Sequence, residues 1–60
     1  MIEIGDMYQL NGTALKVQIT YVFTDCVYCK NLNGPRTNHI ESLGIDIIKE
    51  LYTKLEKIYD

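Results

Sequence analysis

The sequence predicts an α+β domain, in which an antiparallel sheet of three or four strands is packed by one C-terminal helix. Three observations lead there: a two-residue hydrophobic period in the first half, turn dipeptides that divide that half into hairpins, and a 3.6-residue period from Leu43 onward. Residues 1–60 form a single domain, with strands within about residues 7–40 and a helix over about 43–59.

Met7 to Leu10 reads as a first short strand after a turn at Gly5-Asp6. Asn11-Gly12 follows between two apolar runs, the pattern of a tight type I′ hairpin, which needs positive φ at both central residues. The longest strand comes next. Leu15, Val17, Ile19, Tyr21 and Phe23 are apolar, whereas Lys16, Gln18 and Thr20 are polar, so the odd positions face the core; Val22 alone breaks the alternation. Thr24-Asp25 supplies turn chemistry, and Cys26 to Leu32 returns as the partner strand. Its register stays open. A two-residue loop sets Phe23 opposite Cys26, one more residue sets Phe23 opposite Val27, and the slip exchanges which cysteine faces the core. Asn33-Gly34-Pro35 closes another turn, after which Arg36 to Ile40 reads either as a polar edge strand or, with the capping pattern Asn38-His39-Ile40-Glu41, as the approach to a helix.

On a helical wheel Leu43, Ile47, Leu51, Leu55 and Ile58 form one stripe, flanked by Ile48, Tyr52 and Tyr59, with Asp46, Lys49, Glu50, Lys54, Glu56 and Lys57 opposite. Asp46 and Lys57 suit the helix dipole, and Glu50 with Lys54 is a favourable i,i+4 pair. The apolar arc covers roughly 200°, about twice what packing on one surface requires. Part of it is therefore expected to meet another protein or a second copy of the chain, and Ile48, Tyr52, Leu55 and Tyr59 are the expected interface. The competing reading is a helix wedged deeply against a small curved sheet. Homodimerisation also answers a thin stability margin, since a core of this size rarely supplies more than about 3–5 kcal/mol.

Composition narrows the function. Six basic against eight acidic residues give a net charge of −2 with no basic stripe, poor footing for phosphate backbones, so nucleic-acid binding is not expected. No apolar run is long enough to span a membrane, and the first ten residues lack the pattern of a secretory signal, which leaves the cytoplasm as the expected location. The glycines sit singly in turns and make no phosphate loop.

Cys26-Val27-Tyr28-Cys29 is the one chemical motif. Following a strand, it resembles the CxYC of glutaredoxins, but the chain then runs into Asn33-Gly34-Pro35 instead of a long helix. Within a strand the two thiols point to opposite faces, with Cα atoms roughly 10 Å apart, too far for a disulfide. With His39 the pair makes three of the four ligands a structural zinc site needs; a fourth would have to be an Asp such as Asp25. The same three residues carry no triad spacing, so no catalytic residue, metal or cofactor is expected.

Gly5-Asp6-Met7-Tyr8, the Val-containing hairpin, Asp25, Val27 and Tyr28, then Ser42-Leu43 ahead of Leu51-Tyr52, resemble the small SH3-like or Tudor-like proteins of phages and mobile elements. That resemblance implies a strongly bent small sheet without catalytic residues. It also implies action by binding protein, as an adaptor or as a short, often homodimeric inhibitor of a bacterial host or defence protein, located in the host cytoplasm. The alternatives are a thiol-redox or zinc mini-domain built on Cys26 and Cys29, and an SH3-like nucleic-acid binder.

Overall fold

A computed structural model describes residues 1–56. Its elements are β1 (Met7–Leu10), β2 (Lys16–Val22), β3 (Cys26–Asn31), β4 (Ile40–Gly44), α1 (Ile45–Leu51) and β5 (Tyr52–Leu55). The five strands form one antiparallel sheet in the order β4-β3-β2-β1-β5. The α+β class holds, with one strand more than the upper expectation.

The predicted helix over 43–59 is corrected. Among the described residues only Ile45–Leu51 is helical; Leu43 and Gly44 belong to β4, and Tyr52–Leu55 pairs with β1 from Leu10↔Tyr52 to Met7↔Leu55. Residues 57–60, with Ile58 and Tyr59, lie outside the described residues. Helices shorter than about 12 residues are marginal without tertiary support. Here the bare edge of β1 offers a full ladder to Tyr52-Thr53-Lys54-Leu55, and Tyr and Thr suit a strand better than a helix.

The hairpins show why period alone misplaced some side chains. Asn11-Gly12 lies in a four-residue loop, closed by Leu10 N–H donating to the Leu15 carbonyl at 3.0 Å. Thr13 N–H donates to the Leu10 carbonyl at 3.1 Å, and only Gly12 of that turn has positive φ (76°), so the turn is of type II and not the expected type I′. A Cβ on Gly12 would meet nothing within 4 Å, so Gly12→Ala should cost only the left-handed backbone penalty, about 1 kcal/mol. A urea melt checks this; a cost of several kcal/mol would mean that the loop is packed against something.

Between β2 and β3 the register is the two-residue loop, with Phe23 N–H donating to the Cys26 carbonyl at 2.8 Å. The ladder shifts between Ile19↔Cys29 and Tyr21↔Tyr28, so Thr20 is the extra residue of a β-bulge, and its hydroxyl donates to the Tyr28 carbonyl at 3.2 Å. An extra residue inverts the parity of every later side chain. Val17 and Ile19 are buried as the alternation predicts, but beyond the bulge Val22 packs inward while Tyr21 and Phe23, expected in the core, point out. Arg36 to His39 form turns rather than a strand or a helix start, with Asn38 at φ 69°, a conformation Asn tolerates.

The core consists of Tyr8, Val17, Ile19, Val27, Cys29 and Ile48, with Ile2, Leu15, Val22, Leu43, Ile45 and Tyr52 packed around it. The sheet bends so far that Tyr52 of β5 lies within electrostatic reach of Cys29 on β3 and Glu41 on β4, and α1 drives Ile48 into the bend.

Candidate binding face

The bulge at Thr20 builds the site. By reversing parity it carries Tyr21 and Phe23 to the outer face of β2, where Tyr28 of β3 already points out because Val27 and Cys29 on either side of it point in. The three rings pack together: Tyr21 and Phe23 have centroids 4.9 Å apart at 60°, and Phe23 and Tyr28 4.8 Å apart, edge to face at 73°. Such pairs contribute about 0.5–1.5 kcal/mol beyond area burial, so the cluster is preformed. It is nevertheless wet. Tyr21, Phe23 and Tyr28 are 52%, 40% and 43% exposed. Register places Ile40 and Ser42 of β4 and Lys30 of β3 on the same face, and Asp25 caps the hairpin tip.

The interface expected from the helical wheel is not assembled. Ile48 is 0% exposed and belongs to the core, so it offers nothing to a partner; the helix side left in solvent carries Ile47 and Leu51 instead. Tyr52 shares the inner face with Tyr8, whereas Leu55 stands opposite Met7 on the outer one. Tyr59 lies outside the described residues.

The cysteines do not converge either. Cys29 is buried, its Sγ donating to the Glu41 carbonyl at 3.7 Å, and burial followed by Glu41 pushes its thiol above the ordinary value. Cys26 is half-buried on the outer face beside Phe23. His39 is exposed beyond the other end of β3, and no three His, Cys, Asp or Glu side chains gather in metal-binding fashion among the described residues. One thiol, Cys26, should therefore react with a maleimide under native conditions, and Cys29 only on unfolding; fast labelling of both would place Cys29 at the surface.

Burial also raises the hydroxyls of Tyr8 and Tyr52. With Cys29, these are three acids held neutral by the fold and free to ionise in the unfolded chain. The stability they contribute is fully present below pH 9.0, the ordinary value for the cysteine, and is lost as pH rises through the raised folded values. Urea midpoints should hold from neutral pH to about pH 9 and then fall, less steeply in Cys29→Ala. A flat alkaline profile would show that these groups are hydrated in the fold.

The signal that would have found the aromatic face is Val22. One apolar residue out of phase within a strand, with Tyr21 before it and Phe23 after it, marks a parity change.

Among the described residues no helix is long and apolar enough to cross a membrane. Compared with known families, curated proteins and solved structures, the chain matches none.

Proposed function

We propose that this protein is a non-catalytic protein-binding module of SH3-like build whose binding surface is the outer face of β2, β3 and β4, centred on Tyr21, Phe23 and Tyr28. The observation that carries the reading is the exposed, prepacked aromatic cluster, because aromatic rings held in place and left in water are the commonest anchors of protein interfaces. The strand order, with β5 returning to β1 and the sheet bent over its own core, supports the SH3-like part. An adaptor or an inhibitor of a host protein, the role the phage-type resemblance implies, needs a rigid face of this kind and no reactive group.

Affinity capture from a bacterial lysate, comparing the wild type with Tyr21→Ser/Tyr28→Ser, tests it. Both substitutions are at exposed positions, so the fold should survive, as circular dichroism will show. A protein retained by the wild type and lost from the variant is the expected result, the wild-type chain itself included if both forms are present. Identical capture by both forms would overturn the reading.

A further inference from the structure

We infer that the occupant of the aromatic face is a second copy of this chain, joined through a two-fold axis that sets the hairpin tip of one protomer over the far end of β3 in the other. The inference rests on the binding reading above and names its partner.

A two-fold interface must be its own complement, since whatever residue i meets in the partner meets residue i in return. This face meets that condition. Its centre is apolar, made of Tyr21, Phe23 and Tyr28. Its two ends carry opposite charge. Asp25 sits at the hairpin tip, and Asp46 follows directly after Ile45, whose N–H donates to the Asp25 carbonyl at 3.1 Å. At the other end Lys30 lies opposite Gln18 and Ile40, with Lys16 two residues further along the outer side of β2. Neither Asp25 nor Lys30 forms an ion pair within the described residues. Asp25 and Lys30 are five residues apart, roughly 17 Å of strand, with Tyr28 between them. Turning a copy about an axis near Tyr28 therefore lays the acidic end of each over the basic end of the other.

The area agrees. Large aromatic side chains cover roughly 150–250 Å² each, so three of them about half-exposed, with Ile40 beside them, present on the order of 400 Å² of apolar surface. A standard interface takes about 800 Å² from each partner, somewhat over half of it apolar, or roughly 450 Å². The patch matches what one protomer must contribute, and the reciprocal charges fix its orientation.

Sedimentation equilibrium across micromolar to millimolar concentration tests the pairing by charge exchange. The wild type should be a dimer. Asp25→Lys or Lys30→Asp alone should raise its dissociation constant at least about tenfold by setting like charges together, and Asp25→Lys/Lys30→Asp should restore it to within about threefold, because both ends are then exchanged. Tyr28→Ser should weaken the dimer at least about tenfold. A dimer indifferent to all four variants would overturn the inference. A wild type that stays monomeric at millimolar concentration, yet loses a captured lysate protein on Tyr21→Ser/Tyr28→Ser, would overturn self-pairing and leave the binding module standing. A monomer whose capture is identical in both forms would remove both.

Discussion

Replacing Ile48 by Ala should cost about 2–5 kcal/mol, the range for truncating a fully buried aliphatic side chain, and so consume most of the roughly 3–5 kcal/mol that a core of this size supplies. The side chain is 0% exposed and is the only buried residue that α1 contributes. Among the described residues every other fully buried side chain comes from β2 or β3. Removing its outer carbons therefore leaves a gap under the helix that strands cannot close without breaking their ladders. Ile47→Ala, one position earlier and partly in solvent, should cost less than about 1 kcal/mol. Urea unfolding followed by circular dichroism, at one protein concentration, gives both values. Equal costs would mean that α1 buries a different side, and the placement of the aromatic face relative to the core would have to be reconsidered with it.

That contrast also locates what the residues disclosed on their own. Local chemistry was readable: the alternation from Leu15 to Ile19, a turn at Thr24-Asp25 though not its length, and opposite facing of Cys26 and Cys29 are set by neighbours a few residues apart. Two features were decided at a distance. Tyr52–Leu55 continues a helical period perfectly well, and becomes a strand because the unpaired edge of β1, some 45 residues earlier in the chain, accepts it. The wheel drawn through Tyr59 then joined residues that do not share a helix, which put Ile48 outside and Ile47 inside, the reverse of the fold. The bulge at Thr20 left a local trace in Val22, but a single exception to an alternation does not say on which side of it the pattern resets. The same two features govern the candidate site. The bulge exposes the rings, and the early end of the helix removes the surface the wheel had offered.

Asp6 is the second position where a large effect is expected, and for a reason other than packing. Its carboxylate is almost wholly buried, yet it accepts from the Glu3 N–H at 2.9 Å and pairs with the Lys54 ammonium at 3.4 Å. Its backbone carbonyl also accepts from the Ile19 N–H at 2.8 Å. One residue thus binds the first turn, β2 and β5 together. Asp6→Leu should cost about 2 kcal/mol, because it strands the partly buried Glu3 N–H and frees β5 from its charged anchor. Lys54→Met should cost about 1–2 kcal/mol, below the full penalty for a deserted buried charge, since the ammonium is half in water and solvent can replace part of it. The double variant should cost less than the two together, by about 1 kcal/mol, because an apolar pair no longer leaves either charge alone. Tyr8 gives an independent reading: burial raises its hydroxyl first, Asp6 raises it further and Lys54 lowers it, so Lys54→Met should push its alkaline titration still higher. Costs that add within about 0.5 kcal/mol, with no movement of the Tyr8 titration, would show that the two charges sit side by side without depending on each other. If they do depend on each other, the strand that replaced the expected helix is held by a charge buried beside β1, and the bend that receives Ile48 follows from that attachment.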